Sequence, residues 1–239
     1  MDPQSCRPDS YVSLDLETSG LNPKLDKIIE IGAVKVRQGE VCEKFTTLVN
    51  PGLTLSEHTL AITGITQAQV DAAPEIDTVL PDLLAFLEGE ILVGHKVLFD
   101  YSFVKKAAVN LGERFERTGI DTLRIARACL LQLPKKTLGS VCEYYGIPLQ
   151  AHRALEDARA TALVLEHLWE DFGEKYHQLF VPKSLCFKAK KDAKATIAQK
   201  EQLSRLIQNH SLELGVDISM LSRSEASRWI AQILQAYGR

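Results

Sequence analysis

Cysteine is scarce in this chain of 239 residues, and its five copies are scattered without a Cys-x-x-Cys pair. Such a set argues against a zinc site or a disulfide framework and predicts reduced thiols that fill core space. Long apolar runs are also missing, since no stretch approaches the roughly 20 residues that span a bilayer. The first ten residues are polar and contain no apolar signal core. We therefore expect a cytoplasmic protein without a membrane partner.

Charge is unevenly spread along the chain. The composition is that of an ordinary globular protein, with 45% hydrophobic and 25% charged residues, and the net charge is −3. Residues 183–239 carry 10 Lys and Arg against 5 Asp and Glu, whereas residues 1–182 carry 18 against 26. The acidic part suits a metal-binding face but repels a phosphate backbone. The basic part either compensates by binding nucleic acid or is the solvated surface of a linker and helices.

The pattern of apolar residues predicts an α/β fold. Three strands joined by short connections come first, and the later strands alternate with helices. This order predicts a mixed sheet covered by helices. The strands are expected near 11–16, 28–37, 41–49, 91–94 and 119–121, and the helices near 75–88, 100–112, 122–132, 137–145 and 154–172.

The helix expected over 100–112 should turn one face toward the core. Helical spacing places Phe103, Ala107 and Leu111 on that face. Tyr101, Lys105 and Lys106 would then face elsewhere.

The chain is expected to divide into two folded parts. Pro182 ends the helix before it, and lysines are frequent over the next dozen residues. We predict a body over 1–182, a basic linker over 183–195 and a small helical module over 196–239.

Two capping-box sequences, Thr196–Gln199 and Ser222–Glu225, are expected to begin the two helices of that module. The apolar residues expected to be buried between the helices are Leu212, Leu214, Val216 and Ile218. The module is either a small nucleic-acid-binding element or a docking or oligomerisation element.

An acidic pair stands in the first predicted strand. Asp15 and Glu17 are two residues apart, so both point to one face while Leu14 and Leu16 point to the other. Two carboxylates about 7 Å apart on one strand face repel each other and are costly to desolvate unless a cation lies between them. A divalent metal ion is the simplest answer, although a solvated strand edge without a ligand gives the same pattern.

Two further blocks contain the same residue types. His95 and Asp100 follow the buried strand expected near residue 92, and His152 and Asp157 stand at the start of a long helical pattern. In the first turn of a helix the dipole favours an anion even without metal, so Asp157 also has a purely structural explanation. The five residues that carry the metal hypothesis are Asp15, Glu17, Asp100, His152 and Asp157.

These blocks resemble the DEDD-histidine 3′–5′ exonucleases, the epsilon-type family that includes the proofreading subunit of bacterial replicative DNA polymerase. The first motif, Asp-x-Glu-Thr-x-Gly, matches the stretch from Asp15 to Gly20, and the second ends at Phe99 and Asp100. The third, His-x-Ala-x-x-Asp, begins at His152. Three motifs in the right order over residues 10–172 make the resemblance specific. It implies a ribonuclease H-like mixed sheet, flanked by helices, with the acids clustered at its surface.

The resemblance also implies two divalent ions and a role for each acid. Hard oxygen ligands without cysteine suit Mg²⁺ or Mn²⁺, and two such ions can activate water and stabilise the leaving oxygen. By the family pattern, Asp15 bridges both ions, while Glu17 and Asp157 hold the ion that carries the attacking water. Asp100 supports the other ion. His152 is the general base, because histidine side chains ordinarily titrate near neutral pH.

Contacts to the terminal nucleotide are implied as well. The residues that would provide backbone contacts and an apolar wedge are Thr18, Gly20 and Leu21. Phe99 either packs near the substrate or belongs to the core, and His95 either touches the substrate or satisfies a hydrogen bond inside the fold. Lys96 stands where family members usually have Asn, and it either adds a phosphate contact or is solvated. The stretch Thr63–Thr66 is a loop beside the substrate or a turn before a helix.

The leading prediction is a metal-dependent 3′–5′ exonuclease that releases nucleoside monophosphates from single-stranded or frayed DNA ends in proofreading or repair. An RNA-trimming exonuclease has the same chemistry, because the 2′-hydroxyl is read by the shape of the pocket. A non-catalytic nucleic-acid-binding or polymerase-associated scaffold is a third alternative, and the presence of all four acids with His152 argues against it. The expected partner is single-stranded DNA before RNA, with a DNA polymerase or another replication protein left open.

Overall fold

The computed structural model describes residues 8–150, 152–213, 217–219 and 221–238, and these residues contain a six-stranded mixed sheet. Across the sheet the strands follow the order β3-β2-β1-β4-β5-β6. The first three are antiparallel, β4 and β5 run parallel to β1, and β6 is antiparallel to β5. The strands are β1 (Ser10–Thr18), β2 (Ile28–Arg37), β3 (Glu40–Leu48), β4 (Leu92–Gly94), β5 (Thr118–Asp121) and β6 (Lys183–Ser184).

The antiparallel start of the sheet follows from a tight hairpin. Arg37 pairs with Glu40, and the two residues between them, Gln38 and Gly39, both have positive φ, at 52° and 86°. Two central residues in the left-handed region are characteristic of the hairpin turn whose twist matches that of the strands. The predicted turn between the second and third strands is therefore confirmed.

Helices cover both faces of the sheet, as the α/β prediction required. The side chains of Leu14 and Leu16 pack with α3 and α4 on one face. Tyr11 and Val34 pack with α5, α6 and α7 on the other. The helices are α1 (Glu57–Thr63), α2 (Gln67–Asp71), α3 (Ile76–Phe86), α4 (Leu98–Leu111), α5 (Thr122–Cys129), α6 (Leu138–Tyr145) and α7 (Ala154–Tyr176). The short helices α1 and α2 were not among the sequence predictions.

The prediction for the faces of α4 was right for Phe103, which is buried in the core, and wrong for the residues expected to face elsewhere. Tyr101 is fully buried in the core beside Phe115, at 5.5 Å between ring centroids, and Lys105 and Lys106 are buried as well. Ala107 and Leu111, which were assigned to the core, are only partly buried. Most of this helix lies against the rest of the fold, so a single apolar stripe does not describe it.

The C-terminal residues form a separate compact unit. The chain divides into residues 1–189 and 190–239, and the second unit contains α8 (Ile197–His210) and α9 (Arg223–Tyr237). Both predicted capping boxes are present, at Thr196 and Ser222. Its small core contains Ala195, Leu203, Leu206, Leu221, Ala226, Ile230 and Ile233. Leu212 and Ile218 pack against that core, whereas Leu214 and Val216 lie outside the described residues.

The predicted linker over 183–195 needs correction at both ends. Lys183–Ser184 forms strand β6 on the edge of the sheet, and Leu185 and Phe187 then pack into the core of the first unit. Ala195 belongs to the core of the second unit. The frequent lysines of this segment masked the apolar residues that alternate with polar ones, which is the pattern of an edge strand.

The helices of the described residues are short or polar by the standard of a membrane span. None of the helices that these residues form is both long enough and apolar enough to cross a bilayer.

Candidate functional site

The first two acids lie at the end of β1, on the face that α7 covers. Asp15 and Glu17 are partly buried there, while Leu14 and Leu16 point into the opposite core, as the alternation predicted. Across the hairpin, Asp15 pairs with Gly32 of β2 and Glu17 pairs with Glu30. The antiparallel register thus places a third acid, Glu30, beside the predicted pair.

Asp100 reaches the same place from the first turn of α4. This carboxyl group is 4% exposed, and its Oδ1 accepts a hydrogen bond from the backbone N–H of Leu16 at 3.1 Å. Because β1 and β4 are parallel neighbours, the chain that leaves β4 enters α4 beside the end of β1. Asp100 is therefore held against the strand that carries Asp15 and Glu17.

Asp157 and His152 are brought in by the start of α7. Asp157 lies in the first turn of the helix and its Oδ2 accepts a hydrogen bond from the backbone N–H of His152 at 3.1 Å. Its Oδ1 is buried and has no hydrogen-bond partner among the described residues. His152 is exposed with φ at 68°, a left-handed backbone conformation that non-glycine residues rarely adopt. Metal-ligating atoms of Glu17, His152 and Asp157 lie within 4.8 Å of one another.

The four carboxylates strongly perturb each other. Burial raises the pKa of Asp15 well above its usual value, and the charges of Asp100, Asp157 and Glu17 raise it further. Burial raises the pKa of Glu17 to about 7, with the charges of Asp157 and Glu30 adding to the effect. Burial likewise raises the pKa of Asp100 to about 8. It also raises the pKa of Asp157, although the hydrogen bond from the backbone of His152 acts in the opposite direction. A cluster of acids whose burial and mutual repulsion oppose ionisation is a candidate site for a divalent cation.

The donor set fits hard divalent cations. Carboxylate oxygens are the ligands that Mg²⁺ and Mn²⁺ prefer, and the buried Oδ1 of Asp157, without a partner in the described part of the chain, is free to bind one. The structure brings together all four acids and the histidine that the sequence singled out. Their individual roles stay predictions.

Glu30 and Arg153 are site residues that the sequence reasoning missed. Glu30 is 2% exposed, and its Oε1 accepts hydrogen bonds from Nε and Nη2 of Arg153 at 3.1 and 2.9 Å. Its Oε2 accepts the backbone N–H of Ala154 at 3.0 Å. A Cβ on the neighbouring Gly32 would lie 2.1 Å from the backbone of Ala154, so α7 packs directly on β2. An acid inside the apolar run of β2 was the signal that could have found Glu30.

The loop after β1 presents the residues predicted to bind the terminal nucleotide. The hydroxyl of Thr18 donates to the carbonyl of Gly20 at 2.7 Å, which shapes the turn. Leu21 is 83% exposed, so its side chain is available to act as an apolar wedge. Phe99 is partly buried and packs against Phe103 at 5.0 Å between ring centroids, so it contributes to the core. Contacts of these residues with a nucleotide stay predictions.

The loop between β4 and α4 fixes His95 inside the fold. Its Nδ1 lies 2.9 Å from the hydroxyl of Thr122, and its Nε2 lies 2.7 Å from the carbonyl oxygen of Lys136. Burial lowers the pKa of His95, which favours the neutral ring. The alternative in which His95 satisfies hydrogen bonds within the fold is therefore realised, and a substrate contact stays a prediction. Lys96 is exposed, with φ at 86°.

The stretch Thr63–Thr66 connects two helices. Gly64 ends α1 in the left-handed conformation, and Thr66 begins α2 with a complete capping box. In α1, the hydroxyl of Thr59 donates to the carbonyl of Ser19 at 3.3 Å, so the helix braces the loop after β1. A turn that leads into a helix, one of the two predicted alternatives, therefore explains the sequence of this stretch.

Comparison with known proteins gives consistent matches over this part of the chain. A family model described as Exonuclease matches residues 12–165. A DNA polymerase III PolC-type from Thermotoga maritima is 45% identical over 160 residues, which are 65% of this chain and 11% of that protein. The DNA polymerase III subunit epsilon of Aquifex aeolicus is 37% identical over 170 residues, which are 69% of this chain and 84% of that protein.

A solved structure gives the same result for the fold. Exonuclease X in complex with 5′-overhanging duplex DNA superposes with a TM-score of 0.57 at 26% identity, over 71% of this chain and 99% of that one. The ribonuclease H-like sheet is thereby confirmed. The chain spans about a tenth of the length of the PolC-type relatives and most of the length of the epsilon subunit. All the acids of the candidate site lie inside the segment that the family model matches.

Proposed function

This chain belongs to the exonuclease family, and from that premise we propose that it releases nucleoside monophosphates from the 3′ ends of single-stranded or frayed DNA. Membership makes it a 3′–5′ phosphodiester hydrolase of the epsilon type. The observation that carries the proposal is the convergence of four carboxylates whose pKa values are raised by burial and mutual repulsion, with His152 beside them. A protein that only bound nucleic acid would have no need of such a cluster.

The chemistry is divided among the residues of the cluster. Asp15, Glu17, Asp100 and Asp157 would hold two Mg²⁺ or Mn²⁺ ions, which when bound lower the pKa of water and neutralise charge at phosphorus. His152 takes the proton of the attacking water, since its side chain is exposed beside Glu17 and Asp157. The hydrogen bond from its backbone to Asp157 holds the residue at the entrance of the cluster.

The loop after β1 would orient the end of the strand. Leu21 is exposed and therefore available to pack against the terminal base, and the turn at Thr18 and Gly20 offers backbone groups to the terminal sugar and phosphate. Positioning of this kind converts hydrolysis by a free water into a reaction between held partners.

Association with a replicative polymerase is the biological setting we propose. Support comes from the relatives, which are named as DNA polymerase III PolC-type and DNA polymerase III subunit epsilon. These names also favour DNA over RNA as the substrate and proofreading or repair as the role.

The test is a digestion panel with matched DNA and RNA oligonucleotides, single-stranded, paired and frayed, in Mg²⁺, Mn²⁺ or chelator. We expect mononucleotides from the 3′ ends of single-stranded and frayed DNA, only with a divalent ion, and none from the Asp15→Ala variant. Faster digestion of the RNA series would replace the substrate assignment with RNA trimming. Metal-independent or absent hydrolysis would overturn the proposal.

A further inference from the structure

A cavity of about 560 Å³ opens beside the second motif, away from the four carboxylates. Three segments line it: the loop between β4 and α4, one face of α5, and the loop that leads into α6. The residues that line it are His95, Lys96, Leu123, Arg127 and 134–138.

The charge of this cavity is opposite to that of the rest of the unit. Lys96, Arg127, Lys135 and Lys136 line it, and no Asp or Glu is among the described residues that do so. None of these four forms an ion pair within the described parts of the chain. Residues 1–182 carry 26 acidic against 18 basic residues, so four cations without an acidic partner are a local reversal.

Asp121, at the end of β5, accepts hydrogen bonds from residues that line the cavity. Oδ1 of Asp121 accepts hydrogen bonds from the backbone N–H groups of Lys96, Leu123 and Arg124, at 3.1, 3.0 and 3.2 Å. It therefore caps α5 and fixes the Lys96 loop, and it forms no ion pair with the four cations within the described residues. His95 contributes rigidity, because both its ring nitrogens have partners at the cavity wall.

The cavity and the carboxylate cluster lie along the same edge of the sheet. Strands β1, β4 and β5 are parallel. Asp15 lies in the carboxyl-terminal half of β1, His95 directly follows β4, and Asp121 is the last residue of β5. Two strand spacings, about 10 Å, separate the first from the last. A carboxyl edge is where open α/β sheets bind ligands, and a strand whose 3′ end reaches the acids can run along it.

We infer that this cavity is a second, non-catalytic phosphate site that holds the backbone of the substrate strand upstream of the bond that is cut. The inference rests on the proposed function. Arg127 and Lys135 provide cations for the phosphates, and Leu123 and Leu138 offer apolar surface to the sugars. Lys96 lies in the loop that leads into α4, the helix that carries Asp100. Cations that neutralise phosphates release counterions, so the cavity adds affinity in proportion to the phosphates it reaches.

The test compares a short with a long substrate in a double variant, Arg127→Gln with Lys135→Gln. The p-nitrophenyl ester of thymidine 5′-monophosphate reaches only the carboxylate cluster, whereas a long single strand also reaches the cavity. We expect kcat/KM on the long strand to fall about tenfold, which is the effect of about 1.4 kcal/mol, while the ester is hydrolysed as before. The salt slope of binding should fall by about 1.4 for two lost phosphate contacts.

A matched control removes one Lys and one Arg elsewhere, at exposed Lys44 and Arg114. Equal losses in the control and the cavity variant would reduce the effect to general surface charge and overturn the inference. Equal losses on the ester and the long strand would overturn it too. Anisotropy of a labelled long strand in chelator measures binding without hydrolysis. If the parent protein cleaves neither substrate, the proposed function has failed, and this binding measurement alone decides the cavity.

Discussion

Two buried carboxylates, Glu30 of β2 and Asp157 in the first turn of α7, have opposite surroundings. Glu30 has both oxygens bonded, to the guanidinium of Arg153 and to the N–H of Ala154. Asp157 has one oxygen bonded to His152 and the other without a partner in the described residues. The first is a structural acid whose partners are within the protein. The second has an oxygen that is available to a ligand, and this difference separates the structural contacts of the site from its chemistry.

This difference predicts that substitutions at the two kinds of acid have different effects. Loss of a structural contact should lower stability first, and loss of a cluster residue should lower activity while leaving the fold intact. Apart from the loss of Asp15, which should abolish hydrolysis, the largest effect should therefore come from the residue that moves the proton, and the smallest from the C-terminal unit.

His152→Ala should lower turnover by about 10²- to 10⁴-fold, because a positioned general base contributes rate enhancement of that size. Metal affinity should be nearly unchanged, although the side chain lies within 4.8 Å of the acids. Turnover and metal titration on the same preparation check both parts. A collapse of metal affinity would show that His152 is a ligand and that its assigned role is wrong.

Arg153→Ala should destabilise the first unit by about 1–3 kcal/mol, because it leaves the buried carboxylate of Glu30 with a single remaining donor. Glu30→Gln, which keeps the shape and removes the charge, should cost less. Chemical denaturation of both variants provides the measurement. Full stability of Arg153→Ala together with a large loss of turnover would mean that Arg153 acts on substrate and not on the structural contacts of the site.

Without divalent ions, stability should fall as the pH rises from about 5 to 8. The pKa values of Glu17, about 7, and Asp100, about 8, lie above the roughly 4 of an unfolded chain. The native state then holds protons that the unfolded state has lost, so the free energy of unfolding decreases across this interval. Melting curves in chelator at several pH values should show the decline, and saturating Mg²⁺ should flatten it. A melting temperature that rises with pH in chelator would contradict the account.

The sequence predicted the cluster well because its information is local. Alternation along β1 separates Asp15 from Leu14 without reference to the rest of the fold, and the motifs locate Asp100 and Asp157. Glu30 was missed because its place in the site depends on the fold: the antiparallel register puts it opposite Glu17, and its partner Arg153 is far along the chain.

The two wrong predictions about the fold have similar causes. Tyr101 was placed off the core because helical periodicity assumes one buried side, and α4 is surrounded. The segment after Pro182 was taken for a linker because its lysines outweighed Leu185 and Phe187, whose burial depends on pairing with β5. Both are tertiary effects that a local pattern does not contain.

Removal of the C-terminal unit should have the smallest effect on the rate of hydrolysis. A chain that ends at Ala189 should fold and hydrolyse the p-nitrophenyl ester at the full rate, because the first unit is compact by itself. It should bind long single strands more weakly and with a smaller salt slope, since residues 190–239 carry an excess of Lys and Arg.

A chain that ends at Val181 is the matched control. It should be less stable, because it lacks β6 and the buried Leu185. Equal affinity and equal salt slopes for the full chain and the chain ending at Ala189 would assign the C-terminal unit to protein docking instead.

The central claim is that four converging carboxylates hold divalent ions for hydrolysis. Its most direct test is calorimetric titration of the parent chain and the Asp15→Asn variant with Mn²⁺, in two buffers of different ionisation enthalpy, with hydrolysis of DNA followed on the same samples. We expect binding with proton release in the parent, because carboxyl groups with a raised pKa must ionise before they can bind the metal. We expect weakened binding and no hydrolysis in Asp15→Asn, which should stay folded. Undiminished metal binding or full activity in that variant would contradict the central claim.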